Sequence, residues 1–242
     1  MTTQAQFDIA FATERAVKYP AIDALEKEFG FSVDRDRLEN AARVLACPVK
    51  VNPPNWQHGR VVYAVARNFI NSQIDAVKGY THQMRFLDIG TAKGFSALCA
   101  SWAIKDGGQF GDVISVDVID PTSRESRNTV AEVGGLKTLD EITTPWKDDL
   151  QRVSFLRAQS INWLMMNRHP IDFAFVDGKH KGSVVSQELD LLSKWQKPGA
   201  VVVLDDMQIE ALRVVVARRK DYDVRFVKAI PGHREYAIAR RL

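Results

Sequence analysis

Phe86-Leu-Asp-Ile-Gly-Thr-Ala-Lys-Gly94 is the segment from which the class of fold follows. Its first four residues are typical of a buried strand, and a helix-like pattern from Phe95 to Ile104 follows its second glycine. Glycine permits unusual backbone dihedrals and lets a ligand approach the main chain closely. The spacing is Gly-x-x-x-Gly and not the dinucleotide pattern GxGxxG, so a tight turn without a ligand is the alternative interpretation.

Strand-like and helix-like segments alternate on both sides of this turn. Further strands are predicted at 113–118, 153–156, 171–176 and 200–204, and further helices at 161–167, 182–195 and 209–220. Strands at 222–229 and 235–240 are too close for a parallel crossover and should form an antiparallel hairpin. We therefore expect an α/β fold, with a doubly wound sheet of seven strands that is mostly parallel and has one antiparallel strand.

The chain before this domain reads as helical. Helices are predicted at 21–29, ending at Gly30, and from a cap at Asp34 to Leu45, followed by a loop at 47–55 and a helix at 59–77. We expect residues 1–55 to be a helical extension and linker that contacts the substrate or other subunits, and residues 56–242 to be the ligand-binding domain. The long connection 121–150 is predicted to hold one helix and a loop.

Composition limits the classes of function. A net charge of +3 is too mild to indicate a nucleic-acid partner. The two cysteines, Cys47 and Cys99, form neither a disulfide framework nor a CxxC metal motif. The start of the chain has no signal-peptide pattern, and no apolar run is long enough to span a bilayer. We expect a cytoplasmic protein with no membrane partner.

An acidic cluster is predicted where two strands end. Asp177 and His180 follow the strand 171–176, and Asp205-Asp206 follows the strand 200–204. The carboxyl ends of neighbouring parallel strands share one edge, so these groups should converge. Three close carboxylates require a cation, a shared proton or solvent, and a hard divalent metal is the simplest solution. The alternative is that Asp206 caps the helix beginning near Gln208, with Asp205 facing the nucleotide side or solvent.

Other polar residues at the same edge suit a nucleoside. Asp117 ends the second strand, where a carboxylate can accept hydrogen bonds from both hydroxyls of a ribose. Asp120 competes for that role, and either could be an exposed loop residue. Gln159 and Ser160 follow the third strand and could line an adenine pocket, although Ser160 could equally be a helix N-cap.

Taken together, these segments resemble the class I S-adenosylmethionine-dependent methyltransferases over roughly residues 57–242. Within that superfamily the chain is most similar to the small O-methyltransferases that use a divalent cation, of the catechol type and the macrocin or mycinamicin sugar type. The resemblance implies a Rossmann-like fold, Mg²⁺ bound by Asp177, Asp205 and Asp206, and His180 as the base. It implies a set of residues that bind S-adenosylmethionine: Asp88, Gly90, Thr91, Ala92, Gly94, Phe95, Asp117, Gln159, Ser160 and Asp177. Ala92 replaces the middle glycine of the commoner motif.

The expected reaction is methyl transfer to a hydroxyl of a small molecule, such as a catechol or a sugar diol, by a homodimer or larger homo-oligomer. The alternatives are a methyltransferase without metal, in which His180 acts alone, and a non-catalytic nucleotide-binding scaffold. The first 50 residues have no secure counterpart and should decide the acceptor. Trp56, Gln57 and His58 could line its pocket, and Trp146 could close over it.

Overall fold

The computed structural model describes residues 4–45, 56–76, 83–127, 135–230 and 233–242. The helices are α1 (Gln4–Ala16), α2 (Pro20–Phe29), α3 (Arg35–Leu45), α4 (Gln57–Ala76), α5 (Phe95–Asp106), α6 (Leu139–Thr143), α7 (Ser160–Met166), α8 (Gly182–Trp195) and α9 (Glu210–Ala217). The strands are β1 (Met84–Ile89), β2 (Gly111–Asp117), β3 (Val153–Arg157), β4 (Phe173–Val176), β5 (Val201–Leu204), β6 (Tyr222–Ile230) and β7 (Arg234–Arg241). Within these ranges, no helix combines the length and apolar character needed to cross a membrane.

The seven strands form one sheet in the order β3-β2-β1-β4-β5-β7-β6. Strands β1 to β5 pair in parallel, and β7 is antiparallel to both β5 and β6. This confirms the predicted α/β sheet with one reversed strand. The strand order changes direction between β1 and β4, and ligands of open α/β sheets bind at such a point, outside the carboxyl ends of the strands.

The register of the sheet places the predicted site residues side by side. Ile89 and Val176, the last residues of β1 and β4, pair with each other. Ile89 also pairs with Val116 of β2, and Val176 also pairs with Leu204 of β5. The residues that follow these four positions therefore form one row along the carboxyl edge: Gly90, Asp117, Asp177 and Asp205.

Both faces of the sheet are covered by helices. Helices α2 to α5 pack against one face, where Ile22 and Leu25 of α2 share a hydrophobic core with Phe86 of β1. Helices α7, α8 and α9 cover the other face through residues such as Leu164 and Leu189. The described part of the N-terminal extension therefore packs into the main core and does not form a separate one.

Several local predictions are confirmed. Gly30 ends α2 in the left-handed conformation at φ 75°, and the Asp34 carboxylate accepts the Arg37 N–H at 2.8 Å to cap α3. Helix α4 begins at Gln57, two residues before the predicted start. The connection 121–150 contains α6, which opens with a capping box formed by Thr138 and Glu141. The predicted loop 47–55 lies wholly outside the described residues, as do 128–134 of the connection.

Candidate active site

Three of the predicted site residues converge beyond β4 and β5. Nδ1 of His180 lies 2.8 Å from Oδ2 of Asp206. One ligand atom from each of Asp177, His180 and Asp206 lies within 4.8 Å of the others, which is compact enough for one metal ion. Asp205 is not in this group. Its carboxylate is buried and accepts the backbone N–H of Asp206 at 2.7 Å. The cluster thus contains two carboxylates and an imidazole.

Asp206 owes its position to an unusual backbone conformation. Its φ of 61° lies in the left-handed region, which turns the chain sharply after β5. Its Oδ1 accepts a hydrogen bond from the side chain of Gln208 at 2.7 Å, while Oδ2 faces His180. Helix α9 has Ile209 at its N-cap and no side-chain cap bond. The alternative that Asp206 caps this helix is therefore wrong.

The two adjacent carboxyl groups have opposite pKa shifts. Burial, reinforced by the charge of Asp206, raises the pKa of Asp205 to about 7. Burial also opposes ionisation of Asp206, but the hydrogen bond and charge of His180 outweigh it and lower the pKa of Asp206. The negative charge of the pair is thus concentrated on Asp206, beside the imidazole.

Gly90 connects the glycine turn to the acidic cluster. Its φ of 97° favours glycine, and a Cβ at this position would overlap the carbonyl oxygen of Asp177. At the far end of the turn, Gly94 has a φ of 79° and packs against the ring of Phe155. The close approach at Gly90 brings the predicted nucleoside half of the site against the predicted acceptor half.

Asp117 is hydrogen-bonded to the glycine turn, whereas Asp120 is not. One Asp117 oxygen accepts the Ala92 N–H at 2.8 Å, and the other accepts the Ile119 N–H at 3.0 Å. Asp120 instead bonds both the N–H and the hydroxyl of Thr122 within its own loop. Of the two candidates for the ribose acid, Asp117 therefore lies in the row formed by the strand ends.

Asp88 supports the turn from inside the sheet. Its carboxylate is buried and accepts the Ser115 hydroxyl, which lies 2.7 Å from the Thr91 hydroxyl. Burial raises the pKa of Asp88 to about 6, against the lowering effect of hydrogen bonds from Ser115 and Ser96. The chain Asp88–Ser115–Thr91 therefore fixes the start of the turn.

The two residues predicted to line an adenine pocket, Gln159 and Ser160, lie in different environments. Gln159 is exposed at the N-terminus of α7. The Ser160 hydroxyl donates to the buried carboxyl of Glu188 on α8. Gln159 occupies the N-cap position and Ser160 the first helical position, so the interpretation of Ser160 as a cap is wrong.

Two cavities lie beside the glycine turn. A cleft of about 420 Å³ lies on the β3 side, separated from the acidic cluster by the width of β1 and β2. A much smaller cavity of about 10 Å³ lies between it and the turn and touches Thr91 and Asp117. Both are lined by Pro121, Leu139 and Phe155. These three apolar residues belong to no sequence motif and were not predicted, although two of them lie in the long connection, whose length was a signal.

Of the residues expected to line the acceptor pocket, only His58 lies near both halves of the site. Trp56 is buried and stacks on Phe11 at 4.4 Å between ring centroids, and the Gln57 side chain accepts a hydrogen bond from Arg60. Trp146 packs against the hydrophobic core. The positive charge of Arg234, at the start of β7, acts on a set of groups around this edge: Glu14, Tyr19, His58, Asp205 and Asp206. It favours a lower pKa in each, but burial outweighs it at Glu14, Tyr19 and Asp205, whose pKa values are raised. Glu14 of α1 and Tyr19 before α2 therefore lie within electrostatic range of Arg234.

A doubly wound sheet with a glycine turn, an acid at the end of β2 and an acidic cluster after β4 and β5 is typical of α/β enzymes that bind a nucleoside. The sequence model of a family described as "Methyltransferase domain" matches residues 87–207, half of the 242 residues. The chain belongs to this methyltransferase family. A search of curated proteins finds no match.

Solved structures with this fold include methyltransferases of different kinds. The O-methyltransferase TomG from Streptomyces achromogenes, involved in tomaymycin synthesis and solved with SAM, has a TM-score of 0.57 at 16% identity, over 93% of this chain and 99% of that one. The O-methyltransferase from Bacillus cereus, solved with SAH, has a TM-score of 0.53 at 12% identity, over 99% of each chain. An rRNA methylase from Streptococcus thermophilus has a TM-score of 0.50 at 12% identity, over 74% of this chain and 95% of that one.

Family and fold together make the protein a class I S-adenosylmethionine-dependent methyltransferase. At these identities the structural likeness concerns the fold alone. The identity of the methyl acceptor must be argued from the site itself.

Proposed function

We propose that the protein is an O-methyltransferase that acts on a small molecule with two adjacent oxygen atoms, such as a catechol or a sugar diol. The observation that carries this proposal is the cluster of Asp177, His180 and Asp206, which lies next to Gly90 in the row of residues along the carboxyl edge. The proposed reaction requires a base and two acidic oxygens beside the predicted binding site of the methyl donor, and this cluster can supply them. In the reaction, the carbon–sulfur bond of the donor breaks as a carbon–oxygen bond forms, and the hydroxyl proton leaves.

His180 is the proposed general base. Asp206 accepts the hydrogen bond of His180 Nδ1 and thereby leaves Nε2 as the basic nitrogen. The imidazole is 46% exposed, so an acceptor can reach it from solvent. Asp206 also stabilises the imidazolium that forms when the proton arrives. The pair thus combines orientation of the base with electrostatic stabilisation.

Asp177, Asp205 and Asp206 are the proposed ligands of a divalent cation. The arrangement fits such an ion because Asp177 and Asp206 present oxygens within 4.8 Å of each other. Asp205 lies outside this compact group, but its carboxylate accepts the Asp206 N–H and is next to it in the chain. Oxygen ligands from carboxylates favour Mg²⁺. When bound, Mg²⁺ would lower the pKa of a coordinated hydroxyl and orient it. Asp205 and Asp206 would each be held in place by their own hydrogen bonds.

S-adenosylmethionine is the proposed methyl donor, held along the glycine turn. Asp117 is positioned to bind the ribose, since its carboxylate already lies against the Ala92 N–H. The apolar residues Pro121, Leu139 and Phe155 offer a wall for the adenine. The proposed cofactor roles of Gln159 and Ser160 remain predictions, as does assembly into a homo-oligomer.

A methyltransferase without metal is the second candidate. It is favoured by one observation, which is that both oxygens of Asp206 already have partners in His180 and Gln208. An aspartate–histidine pair of this kind can remove a proton without help from a cation.

Methylation of catechol, with and without Mg²⁺, tests the proposal. We expect His180→Ala to lower turnover by roughly 10²- to 10⁴-fold and to leave S-adenosylmethionine affinity, measured by calorimetry, unchanged. His169→Ala is the matched control, because His169 is exposed and precedes β4 at the opposite edge of the sheet. EDTA and Asp205→Ala should each abolish activity.

Three results would contradict parts of this account. Absence of S-adenosylmethionine binding by the folded protein would remove the proposed donor. An unchanged rate in His180→Ala would remove the base. Activity that survives both EDTA and Asp205→Ala would select the metal-independent candidate.

A further inference from the structure

His58 lies at the junction of the two halves of the site. It is the second residue of α4, and its ring stacks on Phe175 with centroids 5.9 Å apart and planes 9° apart. The ring also meets the Phe95 ring edge-on at 5.2 Å. Phe95 is the first residue of α5, directly after the glycine turn, and Phe175 is two residues before Asp177. The imidazole therefore sits between the donor side and the acidic cluster.

The position of His58 is fixed by the packing of α4 against α5 and α2. A Cβ at Gly59 would lie 2.8 Å from the Phe95 ring, so α4 approaches α5 as closely as a glycine allows. The next residue, Arg60, is buried and ties α4 to Glu26 of α2, with its Nε 3.0 Å from Oε1. His58 is thus presented by a rigid helix end and not by a mobile loop.

The surroundings of the ring determine which nitrogen carries the proton. Nδ1 is buried and has no hydrogen-bond partner among the residues that the structure describes, whereas His58 as a whole residue is half-buried. A buried N–H without a partner is rarer in proteins than a buried acceptor without one. The favoured tautomer therefore leaves a lone pair on Nδ1 and places the hydrogen on Nε2. Burial, with a smaller effect from Arg234, lowers the pKa of His58 to about 4 despite the nearby charge of Asp206, so the ring is neutral at pH 7.

We propose that His58 binds the methyl acceptor, donating a hydrogen bond from Nε2–H to an oxygen next to the hydroxyl that is methylated. The inference rests on the proposed function, since it requires a small acceptor with a second oxygen. A neutral donor suits this place because a cationic one would be repelled by the sulfonium of the methyl donor and by a divalent cation. His58 would then select diols over simple alcohols, while His180 removes the proton.

Two substitutions at position 58 separate this role from packing. His58→Phe keeps a flat ring between Phe95 and Phe175 but removes the donor, and His58→Gln places an amide N–H near the position of Nε2. We expect His58→Phe to raise the KM for catechol about tenfold and to change the affinity for S-adenosylmethionine by less than twofold. His58→Gln should recover most of the loss. His169→Phe is the control for a surface histidine.

A spectroscopic measurement on the unmodified protein tests the tautomer without any acceptor. Two-bond ¹H–¹⁵N correlations of the protein with S-adenosylhomocysteine should show His58 as the neutral Nε2–H form at pH 7. The Nδ1–H form or an imidazolium would overturn the inference.

The kinetic outcomes distinguish this inference from the proposed function. If the unmodified protein methylates catechol and His58→Phe has the same KM, only the role of His58 is wrong. The same holds if His58→Gln is no better than His58→Phe, or if His58→Phe weakens S-adenosylmethionine binding equally. If the unmodified protein binds S-adenosylmethionine but methylates no diol, the proposed function fails and this inference fails with it.

Discussion

Every second residue of the glycine turn from 90 to 94 has a positive φ, and the reason differs among the three. Gly90 needs both its dihedral and its missing side chain, because the chain passes against the Asp177 carbonyl. A Cβ added at Gly94 would lie 3.1 Å from the ring of Phe155, which is less crowded than at Gly90. Ala92 has a φ of 42°, which costs an L-residue about 1 kcal/mol, and its N–H bonds Asp117. The departure from the commoner glycine motif is therefore tolerated where the side chain is not obstructed and the backbone is bonded.

Substitution of Gly90 should reveal this difference in the free energy of unfolding. Gly90→Ala places a methyl group on the Asp177 carbonyl oxygen, so we expect a loss of more than about 3 kcal/mol. Gly199→Ala is the matched control, since Gly199 has a similar φ of 90° with nothing within 4 Å of an added Cβ, and it should lose only about 1 kcal/mol. Urea unfolding measures both. Equal losses would show that the approach to Asp177 is not what requires glycine.

At the scale of elements, the sequence pattern determined where helices and strands occur but not how they meet. The apolar segments predicted β1, β4 and β5 closely, because nearly every residue of these central parallel strands is buried and leaves a strong signal. The convergence of Asp177, His180 and Asp206 was predicted, but the position of Asp205 outside this compact group was not. It depends on the left-handed turn at Asp206, which no local propensity indicates.

The contact of α7 with α8 is a second case in which the sequence pattern does not predict how two elements meet. Ser160 suits an N-cap by residue type, but its hydroxyl bonds Glu188, 28 residues later. The second Glu188 oxygen is buried without a hydrogen-bond partner among the described residues. Burial therefore raises the pKa of Glu188 to about 7, against the lowering effect of Ser160. The carboxyl group between α7 and α8 therefore keeps its proton to a higher pH than an exposed glutamate does.

Glu188 should make the stability of the fold depend on pH. Because its pKa is higher in the folded state than the ordinary value of 4.5, the folded state binds the proton more tightly. Its contribution is complete below about pH 4.5 and is lost as pH rises to about 7, a change of roughly 3 kcal/mol. Glu188→Gln removes the titratable group. As pH rises over this range, the unmodified protein should therefore lose unfolding free energy relative to the variant. Glu210→Gln, at an exposed position on α9, should show no such trend, and parallel curves for Glu188→Gln would contradict the assignment.

At the scale of the whole molecule, the site joins parts of the chain that are far apart in sequence. The glycine turn, the long connection, the strand ends and the N-terminal helices all meet at one edge, and Arg234 brings the last strand to it. A ligand at this edge therefore touches elements from most of the fold. Its binding energy should appear as stability of the entire chain, because only the folded state has the site.

Thermal unfolding with S-adenosylhomocysteine tests this coupling and the choice between Asp117 and Asp120. A ligand at 100 times its dissociation constant adds about 2.7 kcal/mol, which for a chain of this size should raise the Tm by about 5–10 °C. Asp117→Ala removes the proposed ribose contact, worth about 1.5–3 kcal/mol, so at the same ligand concentration the rise should fall by at least half. Asp120→Ala should keep the full rise, because its carboxylate serves its own loop. If the two variants lose the same rise, measured from each variant's own ligand-free Tm, Asp117 does not bind the ribose, and the nucleoside lies elsewhere along the edge.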